Sequence, residues 1–571
     1  MNKKITTTID KISSNKKVQF GIFIVVLSIL SLLMINIYIP ENSMYFGADI
    51  YFHFRRLAAS MESLSHNSYP IYLDYSAAMD FGYATKWFYP DFMLIPFAWI
   101  GNMTNIFFAY KFMIFSFTVL TGIITYKTTD RIFNNSFVSI VSSILYTFAL
   151  YKIQNLFVRA ALGESIAMTF FPIIFLGLYE IIQGNYKKWY ILSIGFCLLL
   201  FTHLLSSVLI FGTIIILCIL FFNKIKKEPK RIYYLVLAGI VCLIISSAYI
   251  FPMLEMMLFN SYYYSNQSPT LWPINNKIEV TQIVQGLFNG LNSGQIFYIP
   301  NIGVILTITV ITRIFVNIKK KKNNHLIKYT DTITLLGIIY LFMTLEIFPW
   351  GRFPFSGLKF IQFPWRLFAI ISYIFAVSGG YYVSLLVIHK YKKVTFLGVI
   401  IALTLIMFNI TNQKFEQIND KFKESEVFTP TPNESNYYHL GSLEYIPIEF
   451  PSLQTIKEKA GTVQSKNNSQ ISEPKRNYGT TSFDITLNTN EDILEIPRFY
   501  YKGYTATLNN KELPITKSKN GLIETRVTES GKVYIEYTGT TIQKISYYIS
   551  IISILSLCIY IFMNKRKLNT Q

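Results

Sequence analysis

Apolar runs long enough to cross a bilayer, about 20 residues each, recur near positions 20–39, 105–126, 135–152, 165–183, 232–253, 299–317, 331–349, 365–388, 394–411 and 545–563. A longer run between Trp189 and Phe222 carries Lys187 and Lys188 at one end and Lys224, Lys226 and Lys227 at the other. Basic flanks mark the cytoplasmic side, so this run must turn back, and the break falls at Thr202-His203. Lys127 and Arg131 also read as cytoplasmic. Only one crossing then separates them from the first outer loop, and Trp87–Gly101, with Pro90 and Pro96, reads as a re-entrant or outer-leaflet segment. The pattern predicts a polytopic all-α membrane domain of about twelve transmembrane helices, with both termini cytoplasmic.

After Asn412 the pattern changes to polar sequence with short alternating runs. Phe483–Leu487, Arg498–Tyr501 and Val533–Tyr537 read as strands, and Asn509-Asn510 as a turn between two of them. The expected organisation is a transmembrane domain over 1–411 with its first outer loop at 40–104, an extracytoplasmic mainly-β domain over 412–543 before the last helix, and a C-terminal helix with a basic tail over 544–571.

Composition supports a membrane setting: 52% of residues are hydrophobic and 15% charged, with a mean hydropathy of +0.36. The net charge of +20 does not point to nucleic acid, because Lys and Arg gather in short clusters between apolar runs, such as Lys319–Lys322, as anchors to an anionic leaflet do. Lys3, Lys4, Lys11, Lys16 and Lys17 precede the apolar stretch Phe20–Ile39, which reads as an uncleaved signal anchor. Cys197, Cys218, Cys242 and Cys558 lie in apolar runs without CxxC spacing, so neither a disulfide framework nor a zinc site is supported. Walker, dinucleotide, HExxH and GxSxG motifs are absent from the sequence.

The candidate chemistry lies on the outer side. In the first loop Asp49, His53, Arg56 and Ser60 recur at helical spacing beside an apolar stripe of Ile50, Phe54, Leu57, Met61 and Leu64. This describes a helix at the membrane surface, with Asp49 in its first turn and ionised. A solvated interfacial helix would show the same stripe. Arg159 and Glu164 form a second cluster, which a cap and a local ion pair would also explain. His203 stands at the apex of the helix pair, and Glu255 ends another span. The stretch Trp350–Arg366 places Arg352, Lys359 and Arg366 outside, against the usual bias. Snorkelling to headgroups accounts for them; so does a phosphate clamp, since Arg offers a fork of donors matched to phosphate oxygens.

Taken together, Asp49-x-x-x-His53-x-x-Arg56, Arg159-Ala-Ala-Leu-Gly-Glu164, Gln362-Phe-Pro-Trp-Arg366, Glu444-Tyr-Ile-Pro447 and Tyr500-Tyr-Lys-Gly-Tyr504 resemble a family of bacterial membrane proteins labelled 6-pyruvoyl-tetrahydropterin-synthase-related. The chain is similar more distantly to YfhO-like proteins and, in architecture, to GT-C glycosyltransferases. The label is not an activity: a pterin synthase is a soluble zinc enzyme, and no close histidine triad is present. The GT-C resemblance implies that an acidic residue of the first outer loop works beside a polyprenyl-phosphate-linked sugar, a role that falls on Asp49. Many GT-C members carry a second acidic residue beside the first; here the next in the loop are Glu62, Asp74 and Asp80. A divalent cation, Mg²⁺ or Mn²⁺, is the cofactor such a site could use, and its ligands remain open.

The expectation is therefore a cell-membrane glycosyltransferase that moves a sugar from a polyprenyl phosphate to an envelope glycan or polymer. Asp49, His53 and Glu164 are the catalytic candidates. Arg56, Arg159, His203, Arg352, Gln362 and Arg366 are the substrate- and phosphate-binding candidates. A transporter or flippase of a lipid-linked saccharide, or a non-catalytic envelope assembly protein, are the competing classes.

Overall fold

The computed structural model describes residues 15–39, 47–75, 77–266, 272–289, 300–317, 324–422, 444–459 and 461–569. Lys3, Lys4, Lys11 and Lys319–Lys322 lie outside the described residues. The chain forms two compact units, one from Met1–His53, Tyr110–Ile240 and Pro269–Phe428, the other from Phe54–Ala109, Val241–Ser268 and Thr429–Gln571.

Among the described residues eight helices are long and apolar enough to cross a membrane, or nine if the interrupted pair Lys230–Ile245 and Ser247–Phe259 counts as one span. Leu204–Leu220 and Val304–Phe315 are apolar but shorter. The shortness has local causes. Thr202-His203 does end one helix, Tyr190–Leu200, and His203 caps the next, accepting from the Ser206 backbone N–H at 3.2 Å. Between Thr85 and Met103 there are only two short helices, Thr85–Phe88 and Ile95–Met103; nine residues rise about 14 Å, half of what a bilayer core requires.

The first unit is organised around Pro364–Leu386, which is buried along most of its length and packs on Ser136–Thr147, Val304–Ile311 and Asn324–Thr344. Its glycine pair permits this. A Cβ at Gly380 would stand 2.4 Å from Ser142 Oγ, and one at Gly379 would stand 2.5 Å from Thr309 Oγ1. Small residues let helix backbones approach where the surrounding solvent gives no hydrophobic drive. Charges near helix ends are paired: Arg313 holds Asp331 through two bonds of 2.7 and 2.8 Å, and Glu180 meets Arg131 at 2.9 Å and Lys188 at 3.5 Å.

Among its described residues the second unit contains ten antiparallel strands: β1 (Gln464–Ser465), β2 (Gln470–Ile471), β3 (Lys475–Asn477), β4 (Thr480–Thr486), β5 (Asp492–Phe499), β6 (Tyr504–Leu508), β7 (Lys511–Leu513), β8 (Ile515–Lys517), β9 (Leu522–Val527) and β10 (Gly531–Tyr537). They form two sheets, ordered β1-β5-β9-β8 and β2-β4-β10-β6-β7, with β3 pairing β4. Alternation sends Phe483 and Ile485 of one sheet, and Leu494 and Ile496 of the other, into one core. Asn509 and Asn510 have φ of 51° and 65° and join β6 to β7, as their αL tolerance allows. The last helix, Thr541–Asn569, comes after the strands.

The polar motifs of this unit serve its packing. Arg498, wholly buried, gives Asp80 two bonds of 3.0 Å and bonds Thr481 Oγ1 at 2.7 Å. Lys502 meets Glu255 at 2.9 Å, and Glu255 also accepts from Thr540 Oγ1 at 2.6 Å. Tyr445 stacks on Phe88 with centroids 5.2 Å apart.

Candidate functional site

The polar residues that the first unit brings together stand where two of its spans end. Ser136–Val158 leaves the α-helical path at Gln154–Val158, a π-helical turn in which the Arg159 N–H bonds the Gln154 carbonyl at 3.0 Å. One-turn π segments recur at functional sites, and here the wider turn re-aims the Arg159 end of the span. Ala160 then takes φ of 54°, and the Leu162 N–H closes a tight turn onto the Ala160 carbonyl at 2.9 Å. The next helix starts with Glu164 in its first turn.

Glu164 is buried and is the hub. It accepts from Tyr151 Oη, from Arg159 Nη1 at 3.2 Å, and faces Arg366 Nε at 3.6 Å. Arg159 also bonds Asn155 Oδ1 at 2.7 Å, four residues back. The ring of Phe363 lies beneath both guanidiniums, 5.9 Å from Arg159 and 5.2 Å from Arg366, within cation–π range. His203 is near enough to Glu164 to act on its charge.

Asp49 joins by backbone. Its N–H donates to the Arg159 carbonyl at 2.8 Å, and a Cβ at Gly47 would overlap Ala160 Cβ at 2.6 Å, so the approach of the two strands of chain requires glycine. The helix begins at Ile50, one residue after the expected first-turn position of Asp49. Burial pushes the Asp49 carboxyl above the usual carboxylate range, while Arg159 and Arg366 pull it down and Glu164 adds to the rise. Burial and these three neighbouring charges are the causes that act on the Asp49 carboxyl. Burial works against the Arg159 charge, but Glu164, Tyr151 and Asp49 together raise its proton affinity.

Arg366 is set by a strained turn. Gln362 has φ of 63° and ψ of −58°, and the Phe363 N–H returns to the Ile361 carbonyl at 2.7 Å, a γ-turn of the rare form. Within this turn Gln362 Oε1 accepts from Arg366 Nη1 at 2.8 Å, and the Ile361 carbonyl accepts from the same nitrogen at 3.2 Å. Backbone strain of this kind persists where surrounding contacts over-determine it, and it clusters at functional positions.

The other candidates have contacts of their own. His53 is buried one turn beyond Asp49, edge-on to Phe52. Arg56 belongs to the second unit, where it bonds the Pro90 carbonyl at 2.8 Å, pairs with Asp91 and lies 3.9 Å over the Tyr89 ring; Lys86 completes the pair from the other side of Asp91. Its spacing from Asp49 is helical, but its guanidinium is committed to a buried carboxylate remote in sequence. Arg352 is exposed. Trp350 buries against Phe348 and Ile361 and anchors that loop, leaving the neighbouring arginine outside it. The two arginines that face Glu164 are Arg159 and Arg366. Tyr151 and Asn155 were hidden in an apolar run, although Asn155 stands at i−4 to Arg159, the spacing at which helical side chains meet. Lys152 is also buried, its ammonium 2.6 Å from Thr121 Oγ1.

Among the described residues no three His, Cys, Asp or Glu side chains gather to hold a metal. The cluster's two carboxylates are countered by two guanidiniums, a set that does not fit a resident Mg²⁺ or Mn²⁺.

A bundle of apolar spans, a two-sheet β unit and a terminal apolar helix define a polytopic membrane protein. The chain belongs to the 6-pyruvoyl-tetrahydropterin synthase related domain family of membrane proteins, whose model matches residues 87–413. That stretch includes Arg159, Glu164, His203, Gln362 and Arg366; Asp49 and the strands fall outside it. The chain is also similar to an uncharacterized protein of Lactococcus lactis subsp. cremoris (strain MG1363), 22% identical over 619 residues that cover 97% of each chain.

Proposed function

We propose that this protein is a GT-C-like glycosyltransferase of the cell membrane, moving a sugar from a polyprenyl phosphate to an envelope glycan or polymer on the outer face. The observation that carries the reading is the meeting of Asp49, Glu164, Arg159 and Arg366 at the end of two spans. In this reaction the Asp49 carboxylate takes the proton of the acceptor hydroxyl. The hydroxyl oxygen attacks the anomeric carbon as the bond from that carbon to the phosphate oxygen breaks, and the phosphate leaves with the bonding electrons. Arg159 and Arg366 stabilise the charge that develops there, and the anomeric centre inverts. Glu164 positions both arginines, with Tyr151 and Asn155 holding the frame. A raised affinity for protons suits a base better than an unperturbed Asp would, because proton transfer is most effective when the base's pKa approaches the working pH.

Reconstitution of the full chain with a radiolabelled polyprenyl-phosphate sugar and an envelope acceptor fraction tests the reading. Label appearing in the acceptor together with released polyprenyl phosphate supports transfer. Label crossing the bilayer intact, or bound without turnover, would replace it with the transporter or the assembly protein.

A further inference from the structure

At the far ends of the spans that carry the Asp49 cluster, a groove of about 820 Å³ opens between Lys16–Tyr38, Ser136–Val158 and Lys390–Phe422. Its walls are apolar, with Phe23, Val26, Ile144, Leu397 and Ile401 among them, and its mouth carries Lys16, Lys390 and Lys393. We infer that this groove is a binding site for one anionic phospholipid, with the phosphate at the three lysines and the acyl chains along the apolar wall.

Dimensions support this occupant. From Lys16 to Val26 the helix rises about 15 Å, and from Lys390 to Ile401 about 16 Å. Each is roughly half the 30 Å hydrocarbon core. A molecule filling the groove would reach from the membrane surface to the midplane, the depth of one leaflet. Its volume lies within the range of ligand pockets, about 300–1,000 Å³.

Charge decides the headgroup. Lys16 Nζ is 2.8 Å from Asn134 Oδ1 and 3.5 Å from Asp130 Oδ1; Lys393 lies 5.4 Å over the Phe137 ring and Lys390 5.2 Å over that of Tyr391. Three lysines against Asp130 leave the mouth cationic, and basic pockets between spans favour anionic headgroups. Gly398 lines the wall, and a Cβ there meets nothing within 4 Å. The wall therefore accepts a larger side chain that would occupy the chain path without disturbing the helices.

The test is native mass spectrometry of the full-length protein in detergent, titrated with phosphatidylglycerol and with phosphatidylcholine of the same acyl chains. The expected result is preferential phosphatidylglycerol binding, reduced at least about tenfold both by Lys390→Gln with Lys393→Gln and by Gly398→Phe; a tenfold change is about 1.4 kcal/mol. Free glycerol phosphate at millimolar concentration should not displace the lipid. Equal binding of the two lipids by the unaltered protein, phosphatidylglycerol binding unchanged in both variants, or displacement by glycerol phosphate would each overturn the proposal.

Discussion

At the residue scale the proposed chemistry rests on Asp49 and the charges around it. A base must be deprotonated, so the rate falls as pH drops through the Asp49 pKa. Because burial has raised that pKa, the acid limb of kcat/KM should lie above the ordinary Asp value of about 3.9. Arg366→Gln removes a charge that favours the anion, and the limb should move higher still; a pH–rate profile of the variant checks the sign. Arg352→Gln, at an exposed position, should leave the rate within about twofold, the scatter of an ordinary surface change. Asp49, Glu164 and Arg366 were legible in the sequence because charges beside apolar runs are costly and stand out. The partner of Arg56 was not legible, because helical spacing reports a shared face and not the partner, and Asp91 supplies that partner. Tyr151 was illegible: nothing in an apolar run marks which hydroxyl meets Glu164.

At the element scale two irregular turns aim the arginines. Gln362→Gly would relieve the γ-turn strain, of order 1–3 kcal/mol for such a backbone. It also frees the loop and removes the Gln362 bond to Arg366. The predicted outcome is a protein no less thermostable, with a lower transfer rate. A melting curve and an initial-rate assay on the same preparation decide it. In the β unit, Arg498→Met takes a buried guanidinium from Asp80, which is partly exposed and keeps Arg476 at 3.2 Å, so the loss should fall below the roughly 3–5 kcal/mol of a broken, fully buried pair; protease resistance of the 461–537 strands should fall measurably. The runs in β4 and β10 and the Asn509-Asn510 turn could be read from alternation and turn chemistry, whereas Arg498–Tyr501 overlaps only the last two residues of β5, which ends at Phe499. The interruption at Ser246, with Pro252 in the helix after it, could not: the run there is continuous in hydropathy, and only backbone hydrogen bonding distinguishes one helix from two.

At the scale of the whole molecule, the lysines at helix ends predict an orientation, and with it the membrane face that the Asp49 cluster occupies. In a background with the native cysteines replaced, Ala48→Cys should react with an impermeant maleimide added to intact cells. Lys392→Cys, also exposed, should react only after permeabilisation. The reverse pattern would place the cluster on the inner face, where nucleotide sugars are available and a lipid-linked donor is unnecessary.

The most direct measurement is sugar transfer by the reconstituted full-length protein compared with its Asp49→Asn variant, with folding verified by thermal melting. The expected result is no detectable transfer by the variant and a melting temperature no lower than that of the native chain, because burial already disfavours the charged carboxyl. Transfer at the native rate by Asp49→Asn would contradict the assignment of the base.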